Sequence, residues 1–481
     1  MIFKCMATVW MLLPLALHSQ YFGQSLHPMN KHTPNMEVLT YWKVVGASDT
    51  LIYKAALEVL SQDIEASYAE LLGDPTYTAL VDEHNKWILG GPMLGSVSSD
   101  QVSIWVRTAR PSGVSIEYQS EAGEASRTEV SQTLVSTDLT TVIKLDDLQA
   151  DQNYTYELII NDTLIVTNTN YRFRTPSDDN VRLVFGSCPH RWGLGNTQLF
   201  STIINRQPNA MLFLGDIAVQ DRDNHLGMHR ADYLLRDFQS AWKLLASQVP
   251  ICASWDDHDY FNNDRAGIPK GYQDLDRRNV RKIFQRSWVN PAYGENSEGI
   301  YFSTTIGSID ILMTDNRYFR TGEPGSFLGD TQMAWLKQQI TQSESAFLVL
   351  SCGTMWSDFV SNGKDSWGVN DPNGRDEILD LLEAQGKAGV VLISGDRHGA
   401  RGFIIERESG FQMHEFGAGS LGARLGPPKS KPEWTTQLYG IDKTAAFGEL
   451  TFNSATDSTS VVFRLIREDG EVLYQKELAA K

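Results

Sequence analysis

A chain of 481 residues, 41% hydrophobic and 21% charged, has the composition of an ordinary soluble globular protein and exceeds what one hydrophobic core usually serves, so two or three domains are expected. Its formal net charge of −17 repels a nucleic-acid backbone and an anionic membrane surface alike, which excludes both as general partners. A small anionic substrate such as a phosphate ester would need local positive charge, and metal ions can supply it.

At the start of the chain, Lys4 precedes an apolar run from about Cys5 to Leu17. The run is shorter than the roughly 20 residues of a membrane span and has the layout of a cleavable signal peptide over residues 1–20, so a secreted or periplasmic protein is expected. Cleavage leaves Cys188, Cys252 and Cys352, too few for a disulfide framework. Residues 21–87 form an N-terminal helical segment with one pattern over 51–72, in which Leu57, Leu60, Ile64, Tyr68 and Leu71 can share an apolar face. From residue 88 to 177 the texture changes to short alternating runs such as QVSIWVRT and TTVIKL, separated by turn residues, which predicts a small β-sandwich domain. Its NYTYELII and YRFRTP segments are similar to the closing strands of a fibronectin type III or immunoglobulin-like module.

Residues 180–481 then alternate strand and helix. Buried strands are predicted at 181–186, 210–214, 250–254, 309–314, 347–351 and 390–394, and helices around 229–246, 273–287, 330–343 and 374–385. This order implies a largely parallel, helix-covered sheet of the α/β class, completed by antiparallel strands from about 411 to 478.

In such folds ligands bind beyond the carboxyl ends of the strands. Those ends carry Cys188 and His190 in GSCPH, Asp216 in FLGD, Asp256, Asp257, His258, Asp259 and Asn263 in WDDHDYFNND, and Asp396 and His398 in SGDRH. Singly, a cysteine is more often a buried small residue and an aspartate a turn cap. Four strand ends aiming thiolate, imidazole and carboxylate groups at one crevice is what a dinuclear metal site requires.

GSCPH, FLGDIAVQD, WDDHDYFNND, TDNRYFR, LGDTQMAWL, DSWGVND and SGDRH, in this order, resemble the motifs of the PhoD-like (alkaline phosphatase D) branch of the calcineurin-like metallophosphoesterases. The resemblance covers residue 88 to the C-terminus and implies an α/β (α+β) metallophosphoesterase sandwich behind a small β-sandwich. It implies a hydrolase of phosphoric esters that uses two metal ions and a metal-activated hydroxide. Cys188, Asp216, Asn263, Asp396 and His398 correspond to metal ligands, with Asp216 bridging and His190 a further candidate. Asp257 and His258 match the family's catalytic pair. Arg397 and Arg317 could fork onto phosphate oxygens, although Arg317 could equally form an internal ion pair.

The family's usual tyrosine after the bridging aspartate, a ligand of ferric iron, is replaced here by Val219. A divalent ion, zinc, calcium, manganese or ferrous iron, is therefore expected in place of ferric iron. A phosphomonoesterase is the first reading, with a phosphodiesterase on the same site as alternative and a non-catalytic secreted binding protein as a second. Segments 221–232, 264–272 and 355–374 are expected to wall the site.

Overall fold

Short runs of consecutive apolar residues, such as AMLFL at Ala210–Leu214 and VVLIS at Val390–Ser394, are buried along their whole length and form the centre of the molecule. A computed structural model describes residues 28–121, 123–165, 169–323, 325–359, 365–387, 389–422, 434–454 and 459–480. The expected signal peptide, with Cys5, lies outside the described residues. Among those described, no helix is long and apolar enough to cross a membrane.

The buried strands do not make the single, largely parallel sheet that the strand–helix alternation suggests. They are shared between two stacked mixed sheets. In the first, Asn180–Gly186, Ala210–Leu214 and Ile251–Ser254 run parallel, and Ala446–Asn453, Ser460–Arg467 and Val472–Ala479 extend one side antiparallel. In the second, Ile309–Met313, Phe347–Cys352, Val390–Ser394 and Gln412–Gly417 run parallel, flanked by Phe302–Ile306, Ala400–Glu406 and Gln437–Ile441. Leu183, Phe185 and Leu212 of the first sheet share a core with Ile311, Val349 and Val391 of the second. Each sheet therefore hides one face against the other and needs helices only outside. Asp274–Ser287 and neighbouring helices cover the first through Phe284 and Trp242, while Gly329–Gln342 and Pro372–Ala384 cover the second through Leu336 and Leu379.

Residues 88–174 are woven into this sandwich. Ile88–Gly95, Val102–Thr108 and Thr140–Leu145 continue the first sheet, with Gly95 registered beside Ile251, and the remaining strands form a separate six-stranded sheet around Ser112–Ser120 and Asn153–Ile160. The two parts share one core, in which Ile104 and Ile116 lie in the same cluster as Leu183. A fully buried Arg107–Asp237 ion pair and the Trp105 Nε1 donor bond to Arg286 O (2.8 Å) tie them further.

The N-terminal segment departs from the single helix expected over 51–72. Ala47–Leu60 ends at Ser61, and a new helix, Tyr68–Gly73, begins behind a Ser67 cap whose hydroxyl accepts from Ala69 N while Glu70 accepts from Ser67 N. This capping box satisfies orphan donors that a continuous helix would not expose, and it leaves Ile64 44% accessible. Cys188, Cys252 and Cys352 are all buried and unpaired.

Candidate metal centre

The parallel strands of both sheets end side by side, and their connecting turns build the site. Asn180–Gly186 leads into Ser187, Cys188 and His190; Ala210–Leu214 into Gly215 and Asp216; Ile251–Ser254 into Asp256, Asp257 and His258; Val390–Ser394 into Gly395, Asp396, Arg397 and His398. Backbone bonds lock the first two turns together, Cys188 N donating to Gly215 O (3.0 Å) and His190 N to Asp216 O (2.9 Å). Cys188, His190, Asp216 and Asp396 all have left-handed backbones, with φ of 55°, 48°, 55° and 62°. Such strain in non-glycine residues collects where side-chain placement matters more than local comfort.

The donor atoms converge in three groups, each with its ligand atoms within 4.8 Å of one another: Cys188, His190, Asp216 and His398; Asp216, Asp257 and His258; and Asp216, Asp256, Asp257 and Asp396. Asp216 belongs to all three. Asp259, the last acid of WDDHD, instead accepts the backbone N–H groups of Ile217, Ala218 and Val219 at 3.0–3.2 Å and pins the turn after Asp216.

Electrostatics ask for a cation. Burial pushes the Asp216 carboxyl well above the usual carboxylate range, against the pull of His258. Burial likewise raises Asp396 to about 7, with Arg397 opposing, and Asp256 to about 6, with Arg317 opposing. The Cys188 thiol is driven up by burial and then by Asp216. Asp256 Oδ2 is buried without a hydrogen-bond partner. Crowded acids that would rather hold protons, and an orphaned carboxylate oxygen among them, suit bound metal ions.

His190 is kept neutral, its pKa pushed far down first by burial and then by His258 and His398. Its Nδ1 faces Gln220 Oε1, an arrangement in which Nδ1–H donates and Nε2 is left as a ligand atom. His258 is the opposite case. Burial pulls its pKa down, but Asp216, Asp221 and Asp257 outweigh that and hold it at about 11, with Nδ1 only 2.6 Å from Asp221 Oδ1.

Arg317 takes the ion-pair alternative left open for it, and Asn263 sits differently from expectation. Arg317 has no exposed surface: its guanidinium pairs with Asp256 and with Asp365 Oδ2 (2.8 Å), so it is an internal ion-pair partner beneath the acids rather than a hand open to phosphate. Asn263 is exposed, its side-chain amide donating to Asp264 (2.7 Å) and its backbone N–H to Asp221 (3.0 Å). Arg397 keeps its place beside the acids, with Nε 3.2 Å from Asp396 and 16% of its side chain accessible. The Val219 side chain is fully buried in an apolar cluster and offers nothing to the site.

Asp256 was among the strand-end acids of WDDHD but had no individual role in the sequence, and Asp365, which stands in DSWGVND, had none either. Gln220 stands in FLGDIAVQD without a role of its own, and Lys31 carried no signal at all. Lys31 Nζ lies 3.3 Å from Asp221 Oδ2, bringing the N-terminal segment to the edge of the centre.

Comparison with known proteins shows which family and solved structures the chain is similar to. The PhoD-like phosphatase family matches residues 183–460, and a domain of unknown function (DUF7800) matches residues 85–178. The solved structure of PhoD is 16% identical and superposes with a TM-score of 0.66 over 81% of this chain and 92% of that one. A solved Thermus thermophilus protein, TT1561, is 10% identical, with a TM-score of 0.28 over 50% of this chain and 90% of that one. No curated protein matches the sequence.

Proposed function

The chain belongs to the PhoD-like phosphatase family, and we propose that it hydrolyses phosphate monoesters at a two-metal centre bridged by Asp216. The observation that carries this reading is the sharing of Asp216 among three convergent donor groups. Cys188, His190, Asp216 and His398 would hold one ion, and Asp216 with Asp256, Asp257 and Asp396 the other. This moves Asp257 from the catalytic pair to the ligands and leaves exposed Asn263 the weakest member of the expected set. Ions held there would neutralise phosphate charge and lower the pKa of an attacking water.

The protein's own groups do the rest. His258, kept protonated by the surrounding carboxylates and oriented by Asp221, donates to the leaving oxygen. Arg397 orients the phosphoryl oxygens, and Arg317 offsets the charge of Asp256 and Asp365 from below. One sulfur, two imidazoles and a carboxylate, with no phenolate at position 219, favour a divalent ion of the zinc type over ferric iron. Stoichiometric ferric iron in protein purified under metal-replete conditions would overturn that assignment.

The same reading includes export through residues 1–20 and a fibronectin III-like character for the strands of 88–177. Its test compares p-nitrophenyl phosphate with bis(p-nitrophenyl) phosphate, before and after chelation and divalent-metal rescue. Faster, chelator-sensitive cleavage of the monoester is expected. A preference for the diester selects a phosphodiesterase, and no cleavage of either with metals added rejects the enzyme.

A further inference from the structure

Beside the metal centre lies a cavity of about 540 Å³. Its floor and rim come from loop residues 31–35, the end of helix Ala47–Leu60 and the segment 220–222, so the N-terminal segment supplies a wall that sequence analysis did not anticipate. On the side toward the metals the lining residues are Gln220, which faces His190, and Asp221, which holds His258. The cavity therefore begins where the leaving group of an ester in the centre would emerge.

Its charge is the reverse of the molecule's. The lining includes three cations, Lys31, Arg191 and Arg222, against one carboxylate, Asp221, in a chain of net charge −17. Two of the cations are structural. Arg191, next in sequence to His190, donates to the carbonyls of Lys31 (3.1 Å) and Thr33 (3.0 Å) and clamps the loop in place. Arg222 forks onto buried Asp232 at 2.7 and 2.9 Å. Lys31 is different: its side chain is 45% exposed and its bridge to Asp221 is 3.3 Å long. A bridge of this kind contributes little, so the ammonium can turn to a better anionic partner at small cost.

Asp221 spans the gap, one oxygen on His258 and the other on Lys31. The Lys31 ammonium is thus separated from the candidate leaving-group acid by one carboxylate. That places it beyond reach of the phosphoryl group being cleaved but within reach of a second anion on the same alcohol.

We propose that this cavity is a leaving-group subsite in which Lys31 binds a second phosphate, so that the enzyme prefers esters of small alcohols already carrying another phosphate group. The proposal rests on the phosphoesterase reading above. Its test measures kcat/KM for fructose 1,6-bisphosphate and fructose 6-phosphate in the metal-loaded enzyme, with p-nitrophenyl phosphate as reference. The wild-type ratio of bisphosphate to monophosphate should exceed the statistical value of about two by about tenfold, the scale of one charge-assisted hydrogen bond. It should shrink with added salt. Lys31→Ala should bring the ratio down to the statistical value, and Lys31→Arg should keep it. If Lys31 acts only by steadying Asp221 and His258, Lys31→Ala slows both sugar phosphates equally and leaves the ratio unchanged, which overturns the subsite. Cleavage of p-nitrophenyl phosphate with no preference for, or no cleavage of, the bisphosphate overturns the subsite alone. Cleavage of no ester with metals present overturns the phosphoesterase reading and the subsite with it.

Discussion

Asp216 is where the site is most vulnerable, because it is common to all three donor groups. Asp216→Asn is expected to lose bound metal and activity together, the activity by more than about 100-fold, beyond the usual effect of removing an outer-shell partner. Elemental analysis and phosphate release on the same preparation check this, and retained activity without metal would refute the bridging role. The raised acids predict a pH dependence with a definite sign. Protons occupy Asp396 below about pH 7 and Asp256 below about pH 6, and an incoming ion must displace them. Apparent metal affinity should therefore rise most steeply from pH 5 to 7 and more gently above, where Asp256 and Asp396 no longer compete but the Cys188 thiol still does. Titration calorimetry in buffers of different ionisation enthalpy would count the released protons; an affinity flat across that range would contradict it. Most of these donors were legible because each follows a buried strand directly. The role of Arg317 was not, since its partner Asp365 lies far along the chain and a guanidinium looks alike in sequence whether it meets a phosphate or a carboxylate.

At the scale of elements, buried strands declared themselves through uninterrupted apolar runs. Ala210–Leu214 and Val390–Ser394 match their expected bounds, and the other four differ by only one residue at an end. The division of the strands between two sheets was hidden, because a run buried between sheet and helix has the same composition as one between two helices. The turns were hidden too: nothing in Cys188, His190 or Asp396 announces a left-handed backbone. Gly215 is the exception that sequence could flag. Its φ is +102°, and a Cβ there would stand 2.4 Å from Asp256 Cβ. Gly215→Ala should thus destabilise the protein by about 1–3 kcal/mol and displace Asp216 and Asp256 from one another. A lower urea midpoint accompanied by weakened metal binding is the expected result. Unchanged midpoints would mean that the turn relaxes freely.

For the molecule as a whole, the textural change at residue 88 marked a boundary in composition but not in packing. The helical segment before it has its own long-range anchors, Asn35 bonding Asp232 (2.7 Å) and Tyr53 (2.8 Å), and Trp42 donating to Trp192 O (2.5 Å). Such contacts join residues up to 197 positions apart and leave no local trace in sequence. The first sheet, meanwhile, runs without interruption from Thr140–Leu145 at one edge to Val472–Ala479 at the other. A sheet shared in this way, over a shared core, cannot melt in halves. Heating the metal-free protein should give one calorimetric transition whose van't Hoff and measured enthalpies agree, whereas two resolved peaks would show that the early strands fold alone. It follows that excising residues 88–177 as a free-standing module would turn Ile251–Ser254 into the edge of the catalytic sheet, uncovering its backbone at Ile251 while Asn290 still caps Ala253, and making the remainder prone to self-association.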